Sequence, residues 1–319
     1  MRTADRSAGW SGEAGTRKRR ALALLAVAAT VVMWGLSGVA IKAVRPTGLV
    51  TVLYRCWFAI PLLWLTAIAP SVRARLDGAW LRASVVGGVL FSLHQILYFT
   101  SLKLTSVANV TLIGALQPAL VLLVAGRMFG ERVTGRAVVW SLVAVLGTVL
   151  VVLGSVGAPS WSGGGDMLAT LNLFAFTAYF LASKRFRERV GPWEYVIGMT
   201  SVSGIVVLGV ALLSGQDVRS PAGWDWVVLA VLAIFPGTLG HVLMNWAHAH
   251  TSAFVVSMML LAVPVIAVLG AIVLLGETLG TLQIAGGTVV LVAIASIVAS
   301  ARLPASEELA ESAAASDAP

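Results

Sequence analysis

The sequence predicts an all-α membrane protein in which ten transmembrane helices form two inverted five-helix repeats. Three observations carry this. Of the 319 residues 58% are apolar and only 11% charged, so water is not the main solvent of this chain. One stretch occurs twice without a gap: TSVANVTLIGALQPALVLLVAGRMFGE, Thr105 to Glu131, lies on TSAFVVSMMLLAVPVIAVLGAIVLLGE, Thr251 to Glu277, 146 positions on. Thr105, Ser106, Pro118, Gly130 and Glu131 thereby fall on Thr251, Ser252, Pro264, Gly276 and Glu277. Finally, the basic residues gather in short clusters on alternate loops between apolar runs.

Each copy of the duplicated stretch is long enough to cross a bilayer as a helix, with a proline near its middle and a Gly-Glu stop. A scan for apolar windows of about 19 residues places spans near 21–43, 49–69, 82–101, 107–129 and 137–154. A second set follows near 167–183, 195–214, 225–247, 253–275 and 282–301. Turn-forming residues separate them: Arg45-Pro46-Thr47-Gly48, Asp77-Gly78, the Gly/Ser/Pro stretch 157–165, Gly191-Pro192 and Ser220-Pro221. The domains expected are a basic tail, 1–20; a first repeat, 21–154; a connecting loop, 155–166; a second repeat, 167–301; and a disordered Ala/Ser/Glu-rich tail, 302–319. Arg17-Lys18-Arg19-Arg20 before an apolar run could open a secretory signal, but the run continues to Ile41, too long for that purpose.

Charge sets the orientation. With the N-terminus inside, 17 Lys and Arg fall on the cytoplasmic side and four (Lys42, Arg45, Lys103, Arg219) on the other, with Arg55 inside a span. Five spans per repeat is an odd number, so the copies run through the membrane in opposite directions. This predicts a multi-pass protein of the cytoplasmic membrane with both termini cytoplasmic, and the inverted-repeat plan of many secondary transporters. The expected partners are the lipid bilayer and a small-molecule substrate, with the chain a monomer or weak dimer. The net charge of +8 has no aromatic-basic platform for nucleic acid.

Proline at 118 and 264 cannot donate to the carbonyls of Gly114 and Leu260, which should leave acceptors free at mid-membrane; such kinks either line a substrate cavity or are packing kinks compensated by neighbouring helices, and their matching places in the two repeats favour the cavity. Polar groups at membrane depth belong on the bundle interior: His94 and Gln95 with Tyr98 one turn on, and His241 with Asn245 four residues later, the histidines either facing a cavity or bonded to a neighbouring helix. Asn109, Gln117, Asn172, Thr177 and Tyr179 are individually weaker signals of the same kind, and Trp34 and Ser37 join the list from the first span. The cavity expected is amphipathic rather than strongly charged. Arg55 has two readings, snorkelling to the interface or pairing with an anionic group of the substrate; Lys42 is assigned to snorkelling. Glu131 and Glu277 are read as helix-end residues whose carboxylates favour the N-terminus of the next helix, and Asp166 as the cap of the sixth. The pairs Gly35/Gly38, Gly87/Gly88 and Gly286/Gly287 are read as close-packing sites.

Enzymatic alternatives lack their residues. Gly163-Gly164-Gly165-Asp166 fits a Gly-x-Gly-Asp pattern, but an intramembrane aspartyl protease needs a second aspartate within a neighbouring span, and none is offered. There is no Gly-x-Ser-x-Gly elbow and no His-Glu-x-x-His site; His248-Ala-His250 has no nearby carboxylate, and the single cysteine, Cys56, forms no intramolecular disulfide. No catalytic residue, cofactor or metal is expected.

Trp34-Gly35 followed by Ser37, Arg55 in the second span, the Pro118/Glu131 segment, GDMLATLNLFAFTAYFLASKRF from Gly165, and NWAHAHTSA leading into the Pro264/Glu277 segment together resemble the EamA family of the drug/metabolite transporter superfamily. The resemblance covers nearly all of residues 21–301. It implies ten helices around a central cavity and movement of metabolites such as amino acids, often as export. The chain departs from the family pattern at Val263-Pro264, where the second repeat commonly reads Glu-Pro, so no role of that carboxylate carries over. The expectation is a secondary transporter, an exporter or facilitator, that moves small amphipathic metabolites, amino acids first, across the cytoplasmic membrane by alternating access. The alternatives are proton-driven multidrug or other metabolite efflux, a lipid-linked scramblase, and an intramembrane enzyme.

Overall fold

The structure, a computed structural model, describes residues 6–69, 72, 76–131, 134–154, 162–275 and 280–300. Gly276, Glu277, most of the connecting loop and the C-terminal tail lie outside the described residues. Ten helices are long and apolar enough to cross a membrane: Arg17–Ala43, Gly48–Thr66, Gly78–Leu104, Val107–Phe129, Gly135–Leu153, Gly163–Phe186, Pro192–Leu213, Asp225–His248, Ala253–Gly270 and Thr281–Ala299. These are the first to tenth spans. No strand occurs among the described residues.

Short polar residues set where several of these helices begin. The side chains of Thr47, Asp77, Ser106, Thr134, Ser162 and Ser252 each accept from a backbone N–H three residues on, at 2.8–3.4 Å. Ser106 and Ser252 are repeat-equivalent, so the duplication preserves the start signal of the fourth and ninth spans. The third and sixth spans start four residues before the apolar runs, at Gly78 and Gly163, because their caps sit outside those runs. Ser162, not Asp166, caps the sixth span; the Asp166 carboxylate accepts from the Ser162 N–H at 2.8 Å and from Thr105 Oγ1 at 2.7 Å. The first helix begins at Arg6, which puts the basic cluster of the tail on the same helix as the first span.

The packing is symmetric under exchange of the two repeats. The first span packs on the eighth and ninth, as the sixth packs on the third and fourth; the second packs on the eighth, as the seventh packs on the third. The second and seventh, the fourth and ninth, and the fifth and tenth each pair with their own counterpart. Neither repeat is therefore a separate bundle, and the hollow between them is walled by both. The fifth and tenth spans cross backbone to backbone: a Cβ on Gly147 would stand 2.9 Å from the Gly286 carbonyl oxygen, and one on Gly286 only 2.6 Å from that of Gly147. Gly35, Gly87 and Gly88 likewise leave no room for a Cβ, whereas Gly38 and Gly287 have ordinary space.

Candidate functional site

Three broken helices meet at the hollow. In the fourth span one helix stops at Gly114 and another starts at Gln117, with Pro118 as its second residue. Proline has no N–H, so the Gly114 carbonyl loses its ordinary helical donor. The ninth span breaks at the equivalent place, but the outcome differs: Leu260–Ala262 tightens into a 3₁₀ turn, and the Val263 N–H donates to the Leu260 carbonyl. The acceptor expected to be free at Leu260 is thus satisfied locally. The third break was not anticipated. Ala233–Leu239 of the eighth span is a π-helical turn around Pro236, and it turns the Pro236 carbonyl inward to accept from Trp34 Nε1 at 3.1 Å and Arg55 Nη2 at 3.4 Å.

The cavity has an empty volume of about 960 Å³, counting open solvent at its mouth. Trp34, Ser37, Arg55, His94, Gln95, Tyr98, Gln117, Pro118, His241 and Pro264 line it, each named from the sequence. Tyr179 and Asn245 do not. Tyr179 is wholly buried behind the wall with its hydroxyl 3.0 Å from His241 Nδ1, and Asn245 donates back to the His241 carbonyl at 2.8 Å. Phe99, Asn172, Phe176, Pro236 and Ser257 also line the cavity. Asn172 could be suspected from its polarity at depth, and Pro236 from the adjoining Gly237 and Gly240; an aromatic ring in an apolar helix carries no such signal.

Among the described residues Arg55 is the cavity's only charged side chain. It is 5% exposed, so the snorkelling reading does not hold. An arginine at mid-span costs about 2.5–3.5 kcal/mol on insertion scales, and a carboxylate partner would be the ordinary remedy. Among the described residues no carboxylate is within ion-pair distance of it. Its neighbours are neutral: Nη1 donates to Gln95 Oε1, Nη2 lies 3.2 Å from His241 Nε2, and the Phe99 and Phe91 ring centroids stand 5.4 and 5.9 Å from the guanidinium carbon. A guanidinium only donates, so His241 accepts at Nε2 and its Nδ1–H faces the Tyr179 oxygen. Gln95 and His241 are 146 positions apart, the repeat offset. The charge is therefore held between equivalent residues of the two repeats.

His94 Nδ1 lies 2.7 Å from Asn172 Oδ1, and its ring packs against Phe176 with centroids 4.7 Å apart. Trp34 meets Phe176 edge-on at 6.1 Å. This part of the wall is thus aromatic and amide, and aliphatic side chains such as Ile41, Val110, Leu232 and Leu261 fill in the remainder. Among the described residues no group of three or more His, Cys, Asp or Glu could hold a metal ion.

One end of the bundle, the basic end, carries the ends of the fourth and sixth spans and the start of the ninth. There Glu131 accepts from the Ala253 and Phe254 N–H groups at 2.7 and 3.2 Å and lies 3.4 Å from Lys184 Nζ. It caps the ninth span of the other repeat, not the helix that follows it in sequence. Lys184 also donates to the Thr251 carbonyl at 2.8 Å. At the opposite end the exposed Lys42 donates to the equivalent carbonyl, that of Thr105, at 2.9 Å. The cavity reaches from the breaks toward this opposite end, along Ser37 and Ile41 of the first span, Tyr98 and Phe99 of the third, and Val110 and Thr111 of the fourth.

The chain is similar to known proteins in both sequence and fold. It is 32% identical over 165 residues, half of this chain and 55% of the relative, to the aromatic amino acid exporter YddG of Ancylobacter novellus. It is 24% identical over 215 residues, 65% of this chain and 70% of the relative, to the uncharacterized transporter YyaM of Bacillus subtilis. It is 35% identical over 104 residues, about a third of each chain, to a probable terminal-alkyne amino-acid exporter of Streptantibioticus cattleyicolor. The chain thus spans about half the length of the first of these relatives. A solved crystal structure superposes with a TM-score of 0.73 over 89% of this chain and 99% of its own, at 21% identity, a likeness of fold. The model of the EamA-like transporter family matches twice, over residues 21–153 and 163–299. These two matches cover both repeats and the cavity between them, and the chain belongs to the EamA-like transporter family.

Proposed function

We propose that this protein is a secondary transporter of the cytoplasmic membrane, with both termini in the cytoplasm, that moves small amphipathic metabolites by alternating access, amino acids being the first class to test. The observation that carries it is the meeting of broken helices from both repeats at one cavity, the usual position of a transport site in inverted-repeat proteins. The excess of Lys and Arg assigns the basic end to the cytoplasm. The clasp at Glu131 then holds the cytoplasmic end shut while the cavity reaches outward, a state from which an exporter releases its cargo. The names of two relatives, an aromatic amino acid exporter and a probable amino-acid exporter, support the cargo class and the direction.

Among the described residues no acidic side chain lines the cavity, which favours movement down the metabolite's own gradient over proton antiport. Counterflow in proteoliposomes with a panel of labelled amino acids, with and without a pH gradient, is the test. Uptake of at least one compound, unaltered by the gradient, is expected. Uptake of none removes the amino-acid reading, and uptake that follows the gradient removes the facilitator.

A further inference from the structure

We infer that the cavity takes its cargo by a carboxylate, held at a positive centre on the pseudo-twofold axis of the two repeats, so that the transported species is a carboxylate-bearing anion or zwitterion with an apolar body and not an amine or an organic cation. This rests on the transport reading and names the chemistry of the same site.

Arg55 brings a full charge into a wall with no acidic side chain among the described residues, and its partners there are neutral acceptors. Gln117 adds a second donor. It is 3% exposed and lines the cavity, and its Nε2 is buried without a hydrogen-bond acceptor. A buried donor left unpaired is costly, and a carboxylate oxygen is the partner that repays it best. Gln117 is also the first residue of the 13-residue half-helix Gln117–Phe129, whose positive dipole end therefore opens at the cavity. In the other repeat the half-helix Val263–Leu275 begins at the same place, with Val263 and Pro264 in the wall. A guanidinium, an unpartnered amide N–H₂ and the N-terminus of the half-helix Gln117–Phe129 all favour negative charge.

The position of the charge matters as much as its sign. Gln95 and His241 are repeat-equivalent, and Arg55 lies between them. When the two repeats exchange conformations, one of these neighbours takes the place of the other, and a group midway between them keeps its surroundings. An anion bound to Arg55 can then face either side without being handed from one residue to another. The body of the cargo meets Trp34, Phe99 and Phe176.

Matched compounds test this. Binding to the purified full chain is measured by thermal shift with two sets: phenylalanine, 3-phenylpropionate, phenylalaninamide and phenethylamine; then leucine, 4-methylpentanoate, leucinamide and 3-methylbutylamine. In at least one set the carboxylate-bearing members should bind at least about tenfold more tightly than the amide and amine, the size of a lost charge-assisted hydrogen bond. Arg55→Gln should abolish that preference and Arg55→Lys restore part of it. Because Arg55 variants can also misfold, Gln117→Leu provides a second reading: it keeps the guanidinium and should weaken the acids by about tenfold without affecting the amides. Equal binding of acid and amide, failure of every acid to bind, or an unchanged preference in folded Arg55→Gln or Gln117→Leu overturns the inference. Counterflow with the same compounds separates it from the parent reading: transport of an amide but not its acid leaves a transporter and removes the carboxylate site.

Discussion

Glu131 and Lys184 stand 3.4 Å apart at the basic end, one from each repeat, with side chains only 11% and 15% exposed. The same carboxylate accepts from the first two N–H groups of the ninth span, so one residue ties the end of the fourth span to the sixth and the ninth. Loss of such a cap costs about 0.5–2 kcal/mol, enough to shift a two-state equilibrium roughly two- to thirtyfold. In a Cys56→Ser background, Thr111→Cys on the cavity wall reports the outward state through labelling by a membrane-impermeant maleimide from outside. Glu131→Ala should slow that labelling several-fold, and Glu131→Gln less, because its amide oxygen still accepts from the Ala253 N–H. Unchanged labelling in both would mean that this clasp does not hold the cytoplasmic end shut.

The π turn at Ala233–Leu239 brings the eighth span's backbone against the second. A Cβ on Gly237 would stand 2.7 Å from the Leu232 carbonyl oxygen and 3.1 Å from Arg55 Nε. The backbone cannot give way easily, so Gly237→Ala should displace the guanidinium from the Pro236 carbonyl and from His241. Transport should fall by tenfold or more on the scale of a misplaced binding group, about 1.4 kcal/mol or above, while the circular-dichroism helicity of the purified protein stays that of the wild type. Transport at the wild-type rate would show that the close approach of these two spans is incidental.

What the sequence made legible follows from local rules. Ten apolar runs, their punctuation and the 146-residue offset each depend on residues close in the chain or on the comparison of two segments, and they account for the helices, their number and their inversion. Part of the cavity wall was legible as polar groups in apolar runs, as at Arg55, Gln95 and His241. Partners distant in sequence were not. Nothing near Glu131 indicates that its carboxylate reaches Ala253, and nothing near Lys42 indicates the Thr105 carbonyl. Tyr179 and Asn245 have the polarity of wall residues but point into protein, because a hydroxyl or amide at depth is satisfied as well by a neighbouring helix as by a cavity. The π turn was missed because Pro236 reads as an ordinary kink until the backbone is traced.

The Gly147–Gly286 crossing is a stability feature away from the cavity. With each Cβ position under 3.0 Å from the other helix's carbonyl oxygen, Gly147→Ala and Gly286→Ala must push the fifth and tenth spans apart. Overpacking of this kind costs about 1–3 kcal/mol. Both variants should melt at lower temperature in detergent, with the affinity for cargo unaltered in the folded fraction. A variant as stable as the wild type would show that the spans can separate without loss.

Tyr179 acts on the site through His241. Its hydroxyl, 3.0 Å from Nδ1, keeps the imidazole in the form whose Nε2 accepts from Arg55. Tyr179→Phe removes that restraint and leaves the ring packing on Phe91 in place, with centroids 5.2 Å apart. The ring of His241 can then take the other tautomer, which presents an N–H to the guanidinium and repels it. A single neutral hydrogen bond is worth about 0.5–1.5 kcal/mol, so the half-saturation concentration for transport should rise roughly two- to tenfold, with the maximal rate little changed. His241→Gln should give a comparable rise by itself, since its amide restores only part of the acceptor. If the two act as one unit, the double variant Tyr179→Phe/His241→Gln should be no worse than His241→Gln alone, a coupling of the size found for residues that share a network. Strictly additive effects would place Tyr179 outside the support of Arg55 and leave it as packing.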